Sequence, residues 1–310
     1  MIGKSNNDGK SPALPVNGLL LLNKPAGLTS NQALQKVKRL LGAKKAGHTG
    51  SLDPAATGML PLCFGEATKV CAFLLDADKS YRVTARLGEA TDTADGDGQV
   101  TASAAVPDLT GEEWERILQG FGGESTQIPP MYSALKHGGK RLYELARKGQ
   151  VVERQPRSIR IDEICLLEAG PSRLVFRVRC SKGTYIRTLV EDIAAVAGTV
   201  AFTANLHRES VGAFRETDML DLGNAEDWTE TASDTLRNRL LPPDSALAGW
   251  PEVAIGADGA GRFVEGQTVR LPVAQGQGQV RVYGEEGQFL GVGEVTGDGC
   301  LLPRRIFKAG

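Results

Sequence analysis

The chain has 310 residues, 41% hydrophobic and 24% charged, an ordinary soluble globular composition with apolar material for a full core and a length that suits two domains. With 36 Lys and Arg against 37 Asp and Glu its net charge is −1, which taken whole argues against the excess of base that nucleic-acid binders carry. Counted by segment, residues 1–56 carry +6 and 131–190 carry +8, while 57–130, 191–248 and 249–310 carry −7, −7 and −1, so a neutral molecule can still offer a polyanion one positive face.

Cys63, Cys71, Cys165, Cys180 and Cys300 are odd in number and form no Cys-x-x-Cys pair. Neither a disulfide framework nor a zinc site is expected, and three scattered histidines make no metal cluster. The Met1–Lys10 stretch is polar and no apolar run reaches the ~20 residues of a membrane helix. A cytoplasmic protein without membrane contact is expected.

Residues 1–16 read as a flexible N-terminal lead. Gly18-Leu19-Leu20-Leu21-Leu22, stopped by Asn23-Lys24-Pro25, reads as a buried strand entering a turn. Ser30 is placed to cap the next helix, whose Leu34, Val37 and Leu41 share a face and whose exit is Gly42. A strand over Lys79–Leu87 leads to the acidic, turn-rich Asp92–Gly98. Thr110 and Glu113 then form a capping box for a helix carrying Trp114, Ile117 and Leu118. Ser158–Leu167 and Leu174–Cys180 pair as strands about Gly170-Pro171-Ser172, and Tyr185–Ala197 is a helix closed by Gly198. After Trp250, short strands alternate with glycine turns, a β-rich appendage of about 60 residues.

The densest chemical signal is Gly47-His48-Thr49-Gly50-Ser51-Leu52-Asp53-Pro54-Ala55-Ala56-Thr57-Gly58. Glycine and proline bend this backbone around one histidine and one aspartate. On residue type alone, such an aspartate caps or turns the chain more often than it does chemistry, and the second carboxylate of a glycosidase is missing. Tyr81, Tyr185, Leu206 and Arg187 likewise read, each by itself, as core or strand-end residues.

The run from Gly47 to Val70 resembles the signature of the TruB family of tRNA pseudouridine synthases. So do Gly18–Pro25 with its Lys-Pro pair, Lys79-Ser80-Tyr81-Arg82-Val83, Ile128-Pro129-Pro130-Met131-Tyr132-Ser133-Ala134-Leu135-Lys136 and Cys180-Ser181-Lys182-Gly183-Thr184-Tyr185-Ile186-Arg187-Thr188, in the family's order. The resemblance spans residues 16–310 and implies an α+β class protein, a pseudouridine-synthase fold with a mixed, largely antiparallel central sheet flanked by helices. It divides the chain into a catalytic domain over 17–248, with an RNA-gripping insertion around 125–155, and a small PUA-like RNA-binding domain over 249–310. The activity it implies is isomerisation of uridine 55 in the T loop of tRNA: the N1–C1′ bond breaks, the uracil turns and C1′ rejoins it through C5. Composition is unchanged, so no cofactor or metal is expected, and the partner is the tRNA T stem-loop, met by a monomer.

Residue by residue, the resemblance makes Asp53 the catalytic aspartate, whose oxygen can attack the ribose or the base or take a proton. Arg187 is implied to pair with it, holding ionised a carboxylate that burial would neutralise. Tyr81 is implied to stack on the target base, Tyr185 and Leu206 to wall the uracil pocket, and Lys24 to support the site. His48 is assigned to the flipped nucleotides, and Lys136, Lys140 and Arg141 to the RNA backbone. Ser51, Ala55 and His207 depart from the family pattern, the last placing one contact in doubt. Two rival readings stand beside this one: a guide-dependent relative of the family, and an RNA-binding or tRNA-folding protein without essential catalysis.

Overall fold

The computed structural model describes residues 16–224, 228–229, 232–272 and 276–307; the lead expected over 1–16 therefore lies outside the described residues except at its last position. The apolar run Gly18–Lys24 (β1) is followed by α1 (Ser30–Leu41), β2 (Ala46–His48), β3 (Thr57–Phe64), α2 (Cys71–Asp76) and β4 (Lys79–Leu87). A hairpin of β5 (Glu89–Thr91) and β6 (Val100–Ser103) leads to α3 (Gly111–Gln119) and β7 (Gly123–Gln127). The small hairpin β8 (Lys136–His137) and β9 (Lys140–Arg141) runs into α4 (Leu142–Ala146), then β10 (Arg157–Gly170), β11 (Arg173–Cys180), α5 (Ile186–Val196), β12 (Ala201–Val211) and α6 (Ala232–Asn238).

These strands form an eight-stranded sheet in the order β1-β3-β12-β4-β11-β10-β7, with β2 on β3. All its pairings are antiparallel except β12 with β3, where His207 and Arg208 lie beside Thr57 and Gly58. The sheet is mixed and largely antiparallel, as expected. Strand β1 is apolar without alternation because both its faces are covered. Leu20 and Leu22 pack with Leu34, Val37 and Leu41 of α1, while Leu19 and Leu21 pack with Val70, Leu74, Val292 and Phe307. Strand β4 alternates instead: Tyr81, Val83, Ala85 and Leu87 join the core beneath α3 and α5, and Arg82 and Arg86 are exposed on the other face.

A five-stranded sheet follows, made of β13 (Glu252–Ile255), β14 (Val269–Arg270), β15 (Gly278–Gly284), β16 (Phe289–Val295) and β17 (Cys300–Ile306), with α7 (Ala257–Val264) packed on it through Phe263. It is fixed to the larger sheet by Phe73 edge-on to Trp250 at 4.9 Å, by Lys69 Nζ donating to Ile306 O at 2.6 Å, and by Tyr283 OH donating to Asp244 Oδ2 at 2.7 Å.

Two expectations are corrected. The N-cap of α1 is Thr29, not Ser30: Thr29 Oγ1 accepts from Gln32 N at 3.1 Å while Gln32 Oε1 accepts from Thr29 N at 2.8 Å, a reciprocal box that Ser30 has no Gln or Glu at the right spacing to make. The second basic block is also not a single positive face. Arg173, Arg177 and Arg179 alternate on β11 away from Val178, which pairs with Tyr81. With Arg160 they spend their charge on Glu168, Glu209 and Asp78.

Candidate active site

Asp53 sits in the loop joining β2 to β3, and that loop is held from several sides. Ser30, freed from capping and buried, accepts from Leu52 N at 2.7 Å and donates to Leu52 O at 3.2 Å. Pro54 O accepts from Gly27 N at 2.9 Å and from Lys24 Nζ at 3.2 Å, and Asp53 O accepts from Ala56 N at 3.1 Å. Gly50, at φ +116°, takes a conformation that side-chain-bearing residues rarely adopt.

The Asp53 side chain keeps 43% of its surface open, whereas Arg187 beside it is only 7% exposed. Arg187 Nε lies 3.1 Å from Asp53 Oδ2, and its Nη2 donates to Oδ1 at 3.5 Å. The rest of the guanidinium is equally engaged: Nη1 donates to Thr93 O at 2.9 Å and stands 3.5 Å from Asp95 Oδ2, and Nη2 donates to Tyr132 O at 2.6 Å. One arginine thus joins the Asp53 loop, the acidic turn after β5 and the segment leading to β8, a task its planar fork suits better than an ammonium.

Burial pushes the Asp53 carboxyl above the ordinary carboxylate range; Arg187 and Lys24 pull it back, while Asp95 and Asp97 add to the rise. Lys24 is fully buried, and its Nζ donates to Pro25 O at 2.7 Å, Leu28 O at 2.8 Å and Pro54 O. Burial lowers it to about 8, against the pull of Asp53. Its bonds are those of a residue that shapes the loop. Tyr81 is buried on β4 among Leu52, Val178 and Leu206, and its phenol is raised by burial, with Arg208 opposing the rise. His48, on β2, is pushed below its ordinary pKa by burial and by Arg208, so the imidazole is neutral at pH 7.

Asp53, Arg187, Tyr81, Lys24 and Leu206 are therefore brought to one place by bonds, packing or charge, and among the described residues His48 at the start of the loop is linked to them only through Arg208. Tyr185 caps α5 one residue before Ile186, locked by Gln127 through bonds of 2.7 and 3.0 Å to its backbone. Lys136, Lys140 and Arg141 are exposed on the β8–β9 hairpin and make no bond to this cluster among the described residues; the hairpin is tied to it through the chain, by Tyr132. His207 holds Thr57 Oγ1 at 2.7 Å and Glu216 at 3.1 Å, bracing the start of β3. Reading the sequence missed Asp95, Ser30 and Arg208. The acidic turn offered Asp95 only as one of several turn carboxylates, and Arg208 sits in a strand of mixed polar and apolar residues where nothing local marks it as buried.

The chain matches the TruB family pseudouridylate synthase N-terminal domain over residues 38–186, the tRNA pseudouridylate synthase B C-terminal domain over 187–248, and the C-terminal domain of pseudouridine synthase II TruB over 251–307. It is 50% identical over 291 residues to tRNA pseudouridine synthase B of Nitrosococcus oceani, covering 94% of each chain. It is 48% identical over 295 residues to that of Pseudomonas putida, covering 95% of this chain and 96% of the relative. In fold it is similar to a solved H/ACA ribonucleoprotein bound to a substrate RNA containing 2′-deoxyuridine, with a TM-score of 0.71 at 22% identity over 94% of this chain and 85% of that one. An archaeal box H/ACA complex gives 0.68 at 22% identity, over 94% and 86%. Identity near one half over nearly the whole length, together with family matches that run from the helix before the Asp53 loop to the last strand, makes this chain a member of the TruB family of pseudouridylate synthases.

Proposed function

We propose that the chain is a tRNA pseudouridine synthase, an isomerase that converts uridine 55 of the T loop to pseudouridine, with Asp53 as its catalytic residue. The observation that carries the assignment of Asp53 is its pairing with Arg187: a carboxylate open on one side and bound bidentately on the other. Such a group can act on a nucleotide delivered to its open side while the arginine keeps it ionised. In the reaction the C1′ bond moves from N1 to C5, the C5 hydrogen leaves as a proton and N1 gains one. No atom is lost and no redox partner is needed.

A T-loop uridine is stacked, so extrusion costs a few kcal/mol before chemistry begins. In this reading Tyr81, Tyr185 and Leu206 receive the base, neutral His48 fills space beside it, and Lys24 supports the loop. Lys136, Lys140 and Arg141 grip RNA phosphates from the insertion around 125–155. Residues 17–248 form the catalytic domain and 249–310 a PUA-like RNA-binding domain. The enzyme works as a cytoplasmic monomer; no helix among the described residues is long and apolar enough to cross a membrane.

The test is Asp53→Asn. The variant is expected to bind tRNA within about threefold of the parent while pseudouridine formation falls below detection, because substrate contacts survive and the reacting oxygen does not. Turnover by Asp53→Asn protein overturns the assignment. Activity of the parent on a bare tRNA transcript, with no guide RNA, separates this reading from a guide-dependent one.

A further inference from the structure

We infer that Arg208 is a positioning residue of the reaction, one buried guanidinium that ties together both ends of the Asp53 loop beside Tyr81. The inference rests on the reading that Asp53 and Tyr81 serve the chemistry. Arg208 lies on β12 at the parallel seam of the large sheet, paired with Gly58 of β3 on one side and Tyr81 of β4 on the other. Its side chain is among the largest that are fully buried, 1% exposed. Among the described residues it forms no ion pair. Nε donates to Met59 O at 2.6 Å and Nη2 to Gly50 O at 3.1 Å, and these two carbonyls bracket the loop, one before Asp53 and one after it. The charge of Arg208 also acts on the phenol of Tyr81, its register partner on β4.

A packing role does not account for this residue. A cation buried without a carboxylate is costly, and an apolar side chain of similar volume would fill the space more cheaply. Two carbonyls on opposite sides of the Asp53 loop are held at once by separate donors of one planar guanidinium, Nε and Nη2. The backbone is built tightly round it: a Cβ on Gly58 would stand 2.3 Å from Arg208 O and 2.7 Å from Arg208 N. The Tyr81 phenol meets Arg208 from β12, Cys180 from β11 and Asp53 from the loop. Arg208 alone of these favours the phenolate, so its placement bears on how firmly the hydroxyl keeps its proton.

The experiment uses full-length protein labelled with 3-fluorotyrosine, the Tyr81 fluorine signal being identified by its loss in Tyr81→Phe. Arg208→Lys keeps a cation but loses the fork that holds both carbonyls; Arg208→Met removes charge and fork together. Arg208→Lys is expected to melt cooperatively, to bind tRNA within about threefold of the parent, and to form pseudouridine about 100-fold more slowly in a single turnover, the loss typical of a reacting group displaced by an ångström. The Tyr81 fluorine titration is expected to move to higher pH in Arg208→Lys and further in Arg208→Met. Where Arg208→Met does not fold, Arg208→Lys decides. A fluorine titration unchanged in folded Arg208→Lys, or a single-turnover rate within about threefold of the parent, overturns the inference. Activity in Asp53→Asn would instead overturn the site reading, and the fluorine titration would still report on the clamp.

Discussion

Arg187 and Lys24 are both buried cations within the pull of Asp53, but their own bonds differ in kind. Arg187 meets carboxylates, Asp53 and Asp95, as well as two carbonyls. Among the described residues Lys24 donates only to carbonyls, those of Pro25, Leu28 and Pro54. Lys79, at the start of β4, repeats the second pattern, donating to Leu75 O at 2.9 Å and Ala77 O at 2.6 Å, and like Lys24 it is lowered by burial to about 8. The difference teaches what each charge is for. A cation on a carboxylate sets how readily that carboxylate gives up or takes a proton. An ammonium on three backbone carbonyls freezes a turn, and its charge is the cost of having three donors on one atom.

Removing Arg187 is the strongest way to break this contrast. Arg187→Met is expected to lower the single-turnover rate about 10³-fold, comparable to the loss of an oxyanion-type donor. It should also move the acid limb of the pH profile. Where ionised Asp53 is the working form, activity is lost as pH falls through its folded pKa, which lies above 3.8. Without Arg187, burial, Asp95 and Asp97 still raise it and Lys24 alone among these neighbours opposes them. The limb should therefore shift to higher pH, measured by single turnovers from pH 4 to 8. An acid limb that stays where it was would put Arg187 in the same class as Lys24.

Lys24→Met acts on folding instead. Three carbonyls lose their donor, and unsatisfied buried acceptors put the expected loss at about 3 kcal/mol, read from urea unfolding. The folded fraction should keep its rate within about tenfold. The pH dependence has a definite sign. Between the folded pKa of about 8 and the ordinary 10.5, the unfolded chain holds more protons at Lys24 than the folded one. This group therefore adds stability as pH rises through that window, and Lys79 does the same. Lys24→Met should gain less stability than the parent from pH 8 to 10.5. An equal gain would show that the lysine is not held as its bonds suggest.

The elements themselves were legible wherever pattern and burial agree. The Leu19–Leu22 run, the alternation of β4 and the Thr110 box each appear in the structure because one local rule decides them. The site was legible through Asp53 and Arg187, 134 residues apart in sequence and 3.1 Å apart in space, only because motif resemblance joined them; no local pattern pairs residues at that distance. Arg208 stayed hidden for the opposite reason. Its partners are carbonyls, and a carbonyl has no letter in a sequence. The same holds for Ser30, whose partner is the backbone of Leu52, and which the rule for capping residues placed one position too early in importance and one too late in the chain.

Ser30 gives the smallest and most discriminating effect. Ser30→Ala leaves the Thr29 cap of α1 in place and puts a better helix former at the first position of the helix, so the helix itself is not weakened. What is lost is the hydroxyl that holds Leu52 N at 2.7 Å and Leu52 O at 3.2 Å, next to Asp53. A loss of about 1 kcal/mol in stability is expected. Thr29→Ala should cost about the same by removing a cap. The two variants are thus matched in stability but not in position: only Ser30 touches the loop. Ser30→Ala should slow pseudouridine formation several-fold in single turnover while Thr29→Ala leaves it near the parent rate. Equal rates in the two would mean that Lys24, Arg208 and Arg187 already fix the loop and that the Ser30 bonds serve folding alone.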